Sequence, residues 1–396
     1  MTVSIDSAPD LGRIRRARVA VSIGFFIFGM SWALWAVHIP VVTQRLALDP
    51  ALLGLVLLNV GLGGVISQPL TGWMISRVAS RRATIAFLPL CIAVPIVPII
   101  ATTVPMIFVG ALLLGLIGGA ANVAINTQAT EVEAALGRPI LSSFHGFFST
   151  GGLSGALSGG VIMATGTQNG IGAGLIIVPL LAVSLLLSGH YLDLPPRPAA
   201  PRLASARRFA IPAAGALFLS TICFFTNTIE GSVGDWSALY LSTVRHLPAI
   251  VASSGYAVFC LMMAALRFAG GPLVGRLGER RVVLLGGVLI AIGMAVVVLS
   301  PWATLSPFGF ALVAVGAANN YPVLISVGSR ASAGGGVAAV ATGGLLGFLI
   351  GPPVIGFVAH AMGLAAAIGM LSLVGLIVVA GAAIYRWPAA LVKAGV

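Results

Sequence analysis

Apolar residues recur along this chain in long runs, separated by short polar or charged segments. A helix needs about 20 mainly apolar residues to cross the ~30 Å hydrocarbon core of a bilayer. By that criterion the pattern predicts twelve membrane-spanning helices, at about 19–43, 51–75, 83–102, 104–129, 141–165, 170–192, 209–242, 249–274, 281–300, 306–329, 337–360 and 363–385. An even number of spans places both termini on the same side of the membrane.

Composition supports a membrane protein and argues against a water-soluble enzyme. Hydrophobic residues make up 59% of the 396 residues, and charged residues only 8%. A soluble domain carries about 25% charged residues, so this chain has too few charges to cover a water-facing surface. The 51 glycines fit membrane helices, in which small residues let helices approach closely. All three cysteines, Cys91, Cys223 and Cys260, lie in predicted spans, and we expect them to be free thiols.

The basic residues predict the orientation. The loops on the side of the termini carry Arg13, Arg15, Arg16, Arg18, Arg77, Arg81, Arg82, Arg138, Arg197, Arg202, Arg207, Arg208, Arg276, Arg280, Arg281, Arg330, Arg386 and Lys393. Only Arg45 and Arg245 face the other side. The positive-inside rule therefore predicts cytosolic termini, and we expect a multi-pass protein of the bacterial cytoplasmic (inner) membrane. Because the charges are spread over short loops, the net charge of +12 does not indicate nucleic-acid binding.

Three phrases recur in the same order in the two halves of the chain. The longest is Gly72-Trp-Met-Ile-Ser-Arg-Val-Ala-Ser-Arg-Arg, which returns 199 residues later as Gly271-Pro-Leu-Val-Gly-Arg-Leu-Gly-Glu-Arg-Arg. Gly119-Ala-Ala-Asn and Thr150-Gly-Gly-Leu-Ser-Gly return as Gly316-Ala-Ala-Asn and Thr342-Gly-Gly-Leu-Leu-Gly, 197 and 192 residues later. This order predicts an internal duplication.

A proline-rich, arginine-rich segment near the middle of the chain predicts the boundary between the halves. The expected units are an N-terminal six-helix bundle at 1–192, a cytosolic linker at 193–208 and a C-terminal six-helix bundle at 209–396.

The repeated basic phrase resembles a motif of the major facilitator superfamily, and the resemblance covers nearly the whole chain. In that family the loop between helices 2 and 3 carries G-x-x-x-D-R-x-G-R/K-R/K, with a weaker copy between helices 8 and 9. Here Ser76 and Gly275 stand at the aspartate position, and Ala79 replaces the second glycine. In the family that aspartate joins an ionic cluster that locks the cytosolic side, so this chain departs from the pattern at that lock.

Other phrases are similar to a branch that contains fucose-permease-like sugar carriers and rhizopine-associated membrane proteins. They are Trp35-Ala-Val-His-Ile-Pro, Arg138-Pro-Ile-Leu-Ser-Ser-Phe-His-Gly-Phe-Phe-Ser and Glu230-Gly-Ser-Val-Gly-Asp-Trp-Ser. The resemblance implies an all-α integral membrane protein with twelve transmembrane helices in two pseudo-twofold-related six-helix bundles, the major facilitator fold. It also implies a substrate site between the halves, exposed to alternate sides by rocking of one half against the other.

Two acids are the candidates for proton coupling. Of the nine acidic residues, only Glu230 and Asp235 lie away from the loops and span ends. Ionisable residues inside a membrane are costly and usually functional. The glycines Gly231 and Gly234 beside them predict a break or kink in the seventh span. The alternative is a pair of interfacial acids that cap the helix or pair with Arg245.

Polar and aromatic residues inside spans are the candidates for substrate contact. Asn122 and Asn126 are four residues apart and share one helix face, and Asn122 matches Asn319 in the repeat. Amides both donate and accept hydrogen bonds, which suits a hydroxyl-rich ligand. The predicted substrate-binding set is Trp32, Trp35, His38, Asn122, Asn126, Glu230, Trp236, Asn319, Asn320 and Tyr321.

Each candidate has an alternative. The amides can serve as hydrogen bonds between helices. His38 can bond to a backbone carbonyl freed by Pro40, and Trp236 can belong to an aromatic belt at the membrane surface.

The predicted gating set consists of basic residues: Arg77, Arg81, Arg82, His145, Arg267, Arg276, Arg280 and Arg281. A buried arginine needs a partner, and Arg267 has none adjacent in sequence. It is either a cytosolic gate or anion contact, or a side chain that extends to the headgroups. Because the family aspartate is missing, the loop arginines need other partners, such as helix C-terminal carbonyls or Glu131 and Glu133.

The absences narrow the function. Lys393 is the only lysine, so a P-loop cannot exist in the body of the chain, and no Cys/His metal spacing occurs. We therefore expect no enzyme activity, no cofactor and no metal.

We expect a monomeric secondary active transporter that imports a small polar, sugar-like metabolite with protons. Its expected partners are that substrate, protons and membrane lipids. The alternative is a proton-driven multidrug or metabolite exporter. Antiporters of the superfamily often carry G-P-x-x-G-G in helix 5, and the proline is missing from Gly155-Ala-Leu-Ser-Gly-Gly.

Overall fold

The computed structural model describes residues 10–138, 140–167, 169–195, 214–331 and 336–387, and regular structure within these ranges is entirely helical. In the N-terminal half the helices are α1 Leu11–Arg45, α2 Pro50–Val78, α3 Ser80–Ala93, α4 Ile96–Ile99, α5 Val104–Leu136, α6 Leu141–Ala164 and α7 Asn169–Leu187. In the C-terminal half they are α8 Ala214–Thr243, α9 Ala249–Phe268, α10 Gly270–Leu277, α11 Glu279–Leu299, α12 Ser306–Ala317, α13 Asn320–Ala331, α14 Gly336–Met362 and α15 Leu364–Ile384.

Twelve segments of the described chain are long and apolar enough to cross a membrane, which confirms the predicted number. The third span combines α3 with α4, and the tenth combines α12 with α13. The ends agree with the sequence prediction to within a few residues, with three exceptions: α1 already begins at Leu11, α5 continues to Leu136, and the eighth span, predicted to end at 274, ends at Phe268. The spans pack as two bundles of six, α1–α7 and α8–α15.

Several sequence predictions concern residues outside the described ranges. They are most of the expected linker at 193–208, the expected start of the seventh span at 209–213, and the basic residues Arg197, Arg202, Arg207, Arg208 and Lys393.

Glycines bring helices within each bundle into backbone contact. A Cβ atom on Gly115 of α5 would collide with the carbonyl of Val60 in α2. In the C-terminal bundle, a Cβ atom on Gly347 of α14 would collide with the carbonyl of Phe224 in α8. Small residues permit this close packing, which in a membrane replaces the hydrophobic effect as the source of helix association. Each bundle is therefore held together at the level of the backbone.

An arginine makes the same contact in both halves. Arg45, the last residue of α1, donates from Nη2 to the carbonyl of Ile99 at 2.6 Å. Arg245, just after α8, donates from Nη2 to the carbonyl of Ser300 at 2.6 Å. Each bond ties the end of a bundle's first span to the end of its third. This equivalence supports the internal duplication, and it places Arg245 on a carbonyl and not on Glu230 or Asp235.

Two helix pairs make most of the contact between the bundles, and α1 also contacts α8. In the first pair, α2 contacts α14 near the start of α2, where a Cβ atom on Gly54 would lie 3.2 Å from the carbonyl oxygen of Pro353. In the second pair, α6 contacts α9 along its length, and Gly152 faces the Sγ atom of Cys260. We call the side that carries the loops after α2, α5 and α10 the basic side. The contact between α2 and α14 lies at the opposite side.

Two spans of the C-terminal bundle are interrupted. The eighth, predicted as one helix at 249–274, divides at Ala269 into α9 and α10, and the tenth divides at Ala318 and Asn319 into α12 and α13. Pro272 accounts for the first interruption, because it has no N–H for the carbonyl four residues earlier and its ring crowds that turn.

The predicted break in the seventh span is wrong. Helix α8 is continuous from Ala214 to Thr243, through both Gly231 and Gly234. A glycine keeps its N–H group, and within a helix it costs only about 1 kcal/mol relative to alanine. Packing compensates for this cost, since a Cβ atom on Gly231 would already lie 2.9 Å from the ring of Phe348.

The close contact of α2 with α5 leads to a stability prediction. We expect Gly115→Ala to destabilise the protein by about 1–3 kcal/mol, because the added methyl group meets the Val60 carbonyl. Thermal unfolding in detergent measures the effect. The control is Gly72→Ala, since that helical glycine has no heavy atom within 4 Å of its Cβ position. Equal melting temperatures for the two variants would contradict the packing argument.

Candidate functional site

A cavity of about 450 Å³ lies between the bundles. Its lining residues are Asn122, Val123, Asn126, Thr127 and Thr130 of α5, His145 of α6 and Tyr321 of α13. The α5 residues belong to the half of that helix that leads to the basic side, and His145 lies near the start of α6 on the same side. The cavity thus lies towards the basic side, while α2 and α14 meet at the opposite side.

The two predicted amides lie together in the wall of this cavity. Asn126 donates from Nδ2 to Oδ1 and to the backbone carbonyl of Asn122, both at 2.8 Å. This bond leaves the Nδ2 donor of Asn122 and the Oδ1 acceptor of Asn126 without a hydrogen bond to the described residues. The wall therefore presents a donor and an acceptor one helical turn apart, fixed relative to each other. Tyr321, 37% exposed, faces them from the C-terminal bundle.

Arg267 of α9 joins three helices. It forms an ion pair with Glu230 of α8, with 3.0 Å between Nη2 and Oε1, and it donates from Nη1 to the Ser149 hydroxyl of α6 at 3.0 Å. The side chains of Arg267 and Glu230 are only 15% and 19% exposed. Ser149 belongs to the other bundle, so one guanidinium group satisfies a membrane carboxylate and at the same time bonds across the interface. Charge-assisted bonds of this kind are roughly twice as strong as neutral ones.

The second membrane acid, Asp235, lies on α8 five residues after Glu230. It is half-buried and forms no hydrogen bond or ion pair with a residue in the described ranges. The ring of Tyr256 on α9 packs near the same stretch of α8, since a Cβ atom on Gly234 would lie 3.7 Å from it. Tyr256 therefore lies beside the stretch of α8 that carries Asp235.

Several predicted substrate residues lie in the packed interior. Trp35 and Trp236 are at most 1% exposed, and Trp236 donates from Nε1 to the carbonyl of Pro352 at 3.2 Å. His38 is buried, with Nδ1 2.7 Å from the carbonyl of Leu34. Pro40 leaves the carbonyl four residues before it without a donor, and Leu34 is six residues before it, so His38 does not bond to the carbonyl that Pro40 frees. In this conformation none of these three side chains lines the cavity.

Three further candidates also lie away from the cavity. Asn319 donates from Nδ2 to the carbonyl of Leu266 at 3.3 Å. Asn320 is fully buried, and neither atom of its amide has a partner in the described part of the chain. Trp32 packs edge-to-face against Phe28, with ring centroids 6.4 Å apart. Asn122 and Asn319 match in the repeat, but only Asn122 faces the cavity.

The loop arginines find partners within their own bundle. Arg81 pairs with Asp193 at 2.9 Å, and Arg77 stacks on the ring of Trp73, 3.7 Å from its centroid. In the C-terminal bundle, Arg330 pairs with Glu279 at 2.5 Å. The remaining gating candidates are not part of an ion pair in the described ranges: Arg82, Arg276, Arg280 and Arg281. No ion pair among the described residues therefore joins the two bundles at the basic side.

The proposed acid partners of the arginines have other roles. Glu133 accepts hydrogen bonds from the backbone N–H groups of Ile140 and Leu141, at 2.6 and 2.8 Å, and so caps the start of α6. The suggestion that Glu133 pairs with a loop arginine is therefore wrong: helix-end amides occupy its carboxylate. Glu131 accepts bonds from Ser80 and Gln128, at 2.6 and 3.1 Å.

Sequence reasoning missed the ion pair between Arg267 and Glu230. Arg267 and Glu230 are 37 positions apart, so no local spacing indicates their contact. A usable signal existed nonetheless. Two opposite charges inside apolar spans are expected to find each other, because each is expensive alone.

Comparison with known proteins identifies the family. The sequence model of the Major Facilitator Superfamily matches residues 21–335. The chain is 34% identical over 385 residues to an uncharacterised MFS-type transporter of Yersinia pestis, an alignment that covers 92% of this chain and 94% of the relative. It is 32% identical over 364 residues to the membrane protein MosC of Rhizobium meliloti, covering 91% and 88% of the two chains.

Solved structures agree on the fold. A variant of the nucleoside transporter NupG superposes with a TM-score of 0.73 at 14% identity, covering 93% of this chain and all of the other. A bacterial homologue of the human lysosomal transporter Spinster, in an inward-facing and occupied conformation, gives a TM-score of 0.70 at 14% identity, covering 94% and 98%. These likenesses confirm the predicted fold of two related six-helix bundles. Together with the family match, they show that the chain belongs to the Major Facilitator Superfamily and is a multi-pass membrane transporter.

Proposed function

We propose that this transporter imports a small polar, sugar-like metabolite together with protons, by alternating access between its two bundles. The contact that carries the proposal is made by Arg267, which bonds to Glu230 in its own bundle and to Ser149 in the other. An amide-lined cavity lies in the same region between the bundles.

Glu230 is the proposed proton acceptor. Its carboxylate is largely buried and its ionic partner is Arg267. Protonation neutralises the carboxylate and removes the attraction that holds the guanidinium group between the bundles. Breaking one side of a buried pair leaves an uncompensated charge, so protonation and a new position for Arg267 have to occur together. Because Arg267 also bonds to Ser149, this step changes the contact between α6 and α9.

The cavity wall favours a neutral, hydroxylated substrate. Its polar groups are the two amides, the hydroxyls of Thr127 and Thr130, the His145 imidazole and the Tyr321 phenol. Among the described residues that line it, none is acidic. Amide and hydroxyl groups donate and accept hydrogen bonds, as the hydroxyls of a sugar do. A volume of about 450 Å³ lies within the usual range for small-molecule sites.

The arginine distribution supports a cytosolic basic side, in a bacterial inner membrane. The cavity towards that side then corresponds to an inward-facing state. In the alternate state the contact between α2 and α14 opens, and the cavity closes at the cytosolic side.

Proton coupling is tested with Glu230→Gln. In proteoliposomes, an inward gradient of one pH unit drives about tenfold accumulation when one proton accompanies each substrate. We expect the variant to lose this accumulation while it still equilibrates substrate, because its amide cannot take up and release the proton. The measurement is uptake from a panel of labelled metabolites, with and without the gradient.

The matched control is Glu279→Gln, which removes a carboxylate from the Arg330 ion pair in the same bundle, away from the cavity. We expect it to retain coupling. Gradient-driven accumulation by Glu230→Gln at the parental level would refute the assigned role of Glu230. If no metabolite accumulates and an overexpressing strain gains drug resistance, the protein is an exporter.

Substrate recognition is tested with Asn122→Ala. Loss of a buried hydrogen bond of ordinary strength, about 1–1.5 kcal/mol, predicts a KM that is roughly five- to tenfold higher. Asn59→Ala is the comparison, because the Asn59 amide bonds to the Phe108 carbonyl and does not line the cavity. The proposal predicts an unchanged KM for Asn59→Ala, whatever its effect on stability. Equal KM values for Asn122→Ala and the parent would remove this amide from the site.

Orientation is tested by labelling single cysteines in a variant without the three native ones. Trp302→Cys, in the loop between α11 and α12, is expected to react with a membrane-impermeant maleimide in intact cells. Arg138→Cys, in the loop between α5 and α6, is expected to react only after permeabilisation. Both positions are exposed, so access to the reagent decides the result. The reverse pattern would overturn the cytosolic assignment.

A further inference from the structure

The backbone around Arg267 is held by two side chains from other parts of the chain, one on α6 and one between α12 and α13. Helix α9 ends one residue later, at Phe268, and α10 begins at Gly270. Ser142 of α6 donates to the carbonyl of Arg267 at 2.8 Å, and Asn319 donates to the carbonyl of Leu266 at 3.3 Å. Both contacts lie in the last turn of α9, where a helix leaves carbonyl groups in need of donors. The interruption thus leaves backbone carbonyls that accept hydrogen bonds from residues far away in the sequence.

Asn319 lies in an interruption of its own, between α12 and α13. It is 5% exposed, and a Cβ atom on Gly270 would collide with its Oδ1 atom. The glycine therefore gives the amide the room it needs to enter the gap between α9 and α10. One side chain connects the interruptions of the eighth and tenth spans.

Asn320 shows that burial of an amide in this region does not by itself produce such a contact. It is the next residue and is fully buried, yet its amide has no partner in the described part of the chain. It packs beside Gly286 of α11 and not at the end of α9. The two adjacent asparagines therefore differ in role: Asn319 holds the end of α9, whereas Asn320 only fills space inside the bundle.

We propose that Asn319 is a positioning residue for Arg267: by holding the Leu266 carbonyl at the end of α9, it sets the guanidinium group within reach of both Glu230 and Ser149. The side chain of Arg267 must meet an acceptor in each bundle at 3.0 Å, so a small shift of its backbone removes one of the two contacts. Since Asn319 precedes α13, which carries Tyr321 into the cavity wall, the same amide links the cavity to the ion pair. The consequence for transport rests on the proposed function, whereas the contact itself does not.

Cys260 offers a test that needs no substrate. It lies on α9 seven residues before Arg267, on the same helix face, and it is 5% exposed against Gly152 of α6. With Cys91→Ser and Cys223→Ser as background, alkylation of Cys260 by N-ethylmaleimide reports how often α6 and α9 separate. The rate is measured in purified protein for Asn319→Ala, Asn319→Leu, Arg267→Gln and the double variant of Asn319→Ala with Arg267→Gln.

We expect Asn319→Ala to speed the alkylation of Cys260 by about fivefold, the effect of losing one hydrogen bond of ordinary strength. Arg267→Gln is expected to do the same, and the double variant to react no faster than the faster single variant, because both changes release the same contact. Asn319→Leu, similar in size but without a donor, is expected to match Asn319→Ala; if it does not fold, Asn319→Ala decides. Asn320→Ala is the matched control and is expected to leave the rate unchanged.

Two results would overturn the inference. One is a rate in Asn319→Ala within about twofold of the parent, which is less than one hydrogen bond contributes. The other is full additivity with Arg267→Gln, which would mean that Asn319 supports the fold without acting through the arginine. Either can occur whether or not protons drive transport, so this experiment and the uptake assay with Glu230→Gln fail independently.

Discussion

One electrostatic constraint acts where α6, α8 and α9 meet: a guanidinium group inside a membrane protein needs a carboxylate. Arg267 finds it in Glu230, and the remaining donor of the same group reaches Ser149 in the other bundle. An unpaired charge at this depth would be costly, so the pair fixes where α8 and α9 face each other and where α6 lies against them. The interruption that Pro272 causes after Phe268 leaves the arginine at the end of a helix, where Ser142 of α6 and Asn319 hold its backbone.

The contacts inside the bundles differ in kind from the contact between α6 and α9, which joins them on one side. Within a bundle, glycines bring backbones together, as Gly115 does with Val60 and Gly347 with Phe224. Interfaces at that distance leave no room for sliding, because interiors are close-packed and tolerate little change in volume. Along α6 and α9, glycines instead face side chains, which can change rotamer. Two stiff units with an adjustable joint are what rocking between two states requires.

The parts of this fold that sequence could predict are those that rest on length and periodicity. Twelve apolar runs specify twelve spans, and repeated phrases indicate the duplication, because both signals are local. The spacing of Asn122 and Asn126 likewise placed both amides on one face of a continuous helix. Asn319 did not follow its repeat partner into the cavity, since the tenth span is interrupted at that residue and the helix face changes there. The pairing of Arg267 with Glu230 is a tertiary contact without a local signature. The break expected at Gly231 and Gly234 is absent because a glycine alone does not remove a backbone hydrogen bond.

The contact between α6 and α9, which we call the joint, is asymmetric: the two helices contribute different kinds of residue to it. Helix α6 contributes the empty positions Gly146, Gly152 and Gly160, and α9 contributes the bulk that fills them, Phe268, Cys260 and Ser253. A lineage that needs a tighter or looser joint can therefore alter α9 alone, one side chain at a time, while the glycines of α6 remain as they are. A side chain added at one of these three glycines meets the α9 side chain that faces it, so that α9 side chain has to move or be shortened to admit it. At these three positions the N-terminal bundle supplies the space and the C-terminal bundle supplies the side chains that fill it, so the fit of the joint depends on which side chains α9 carries.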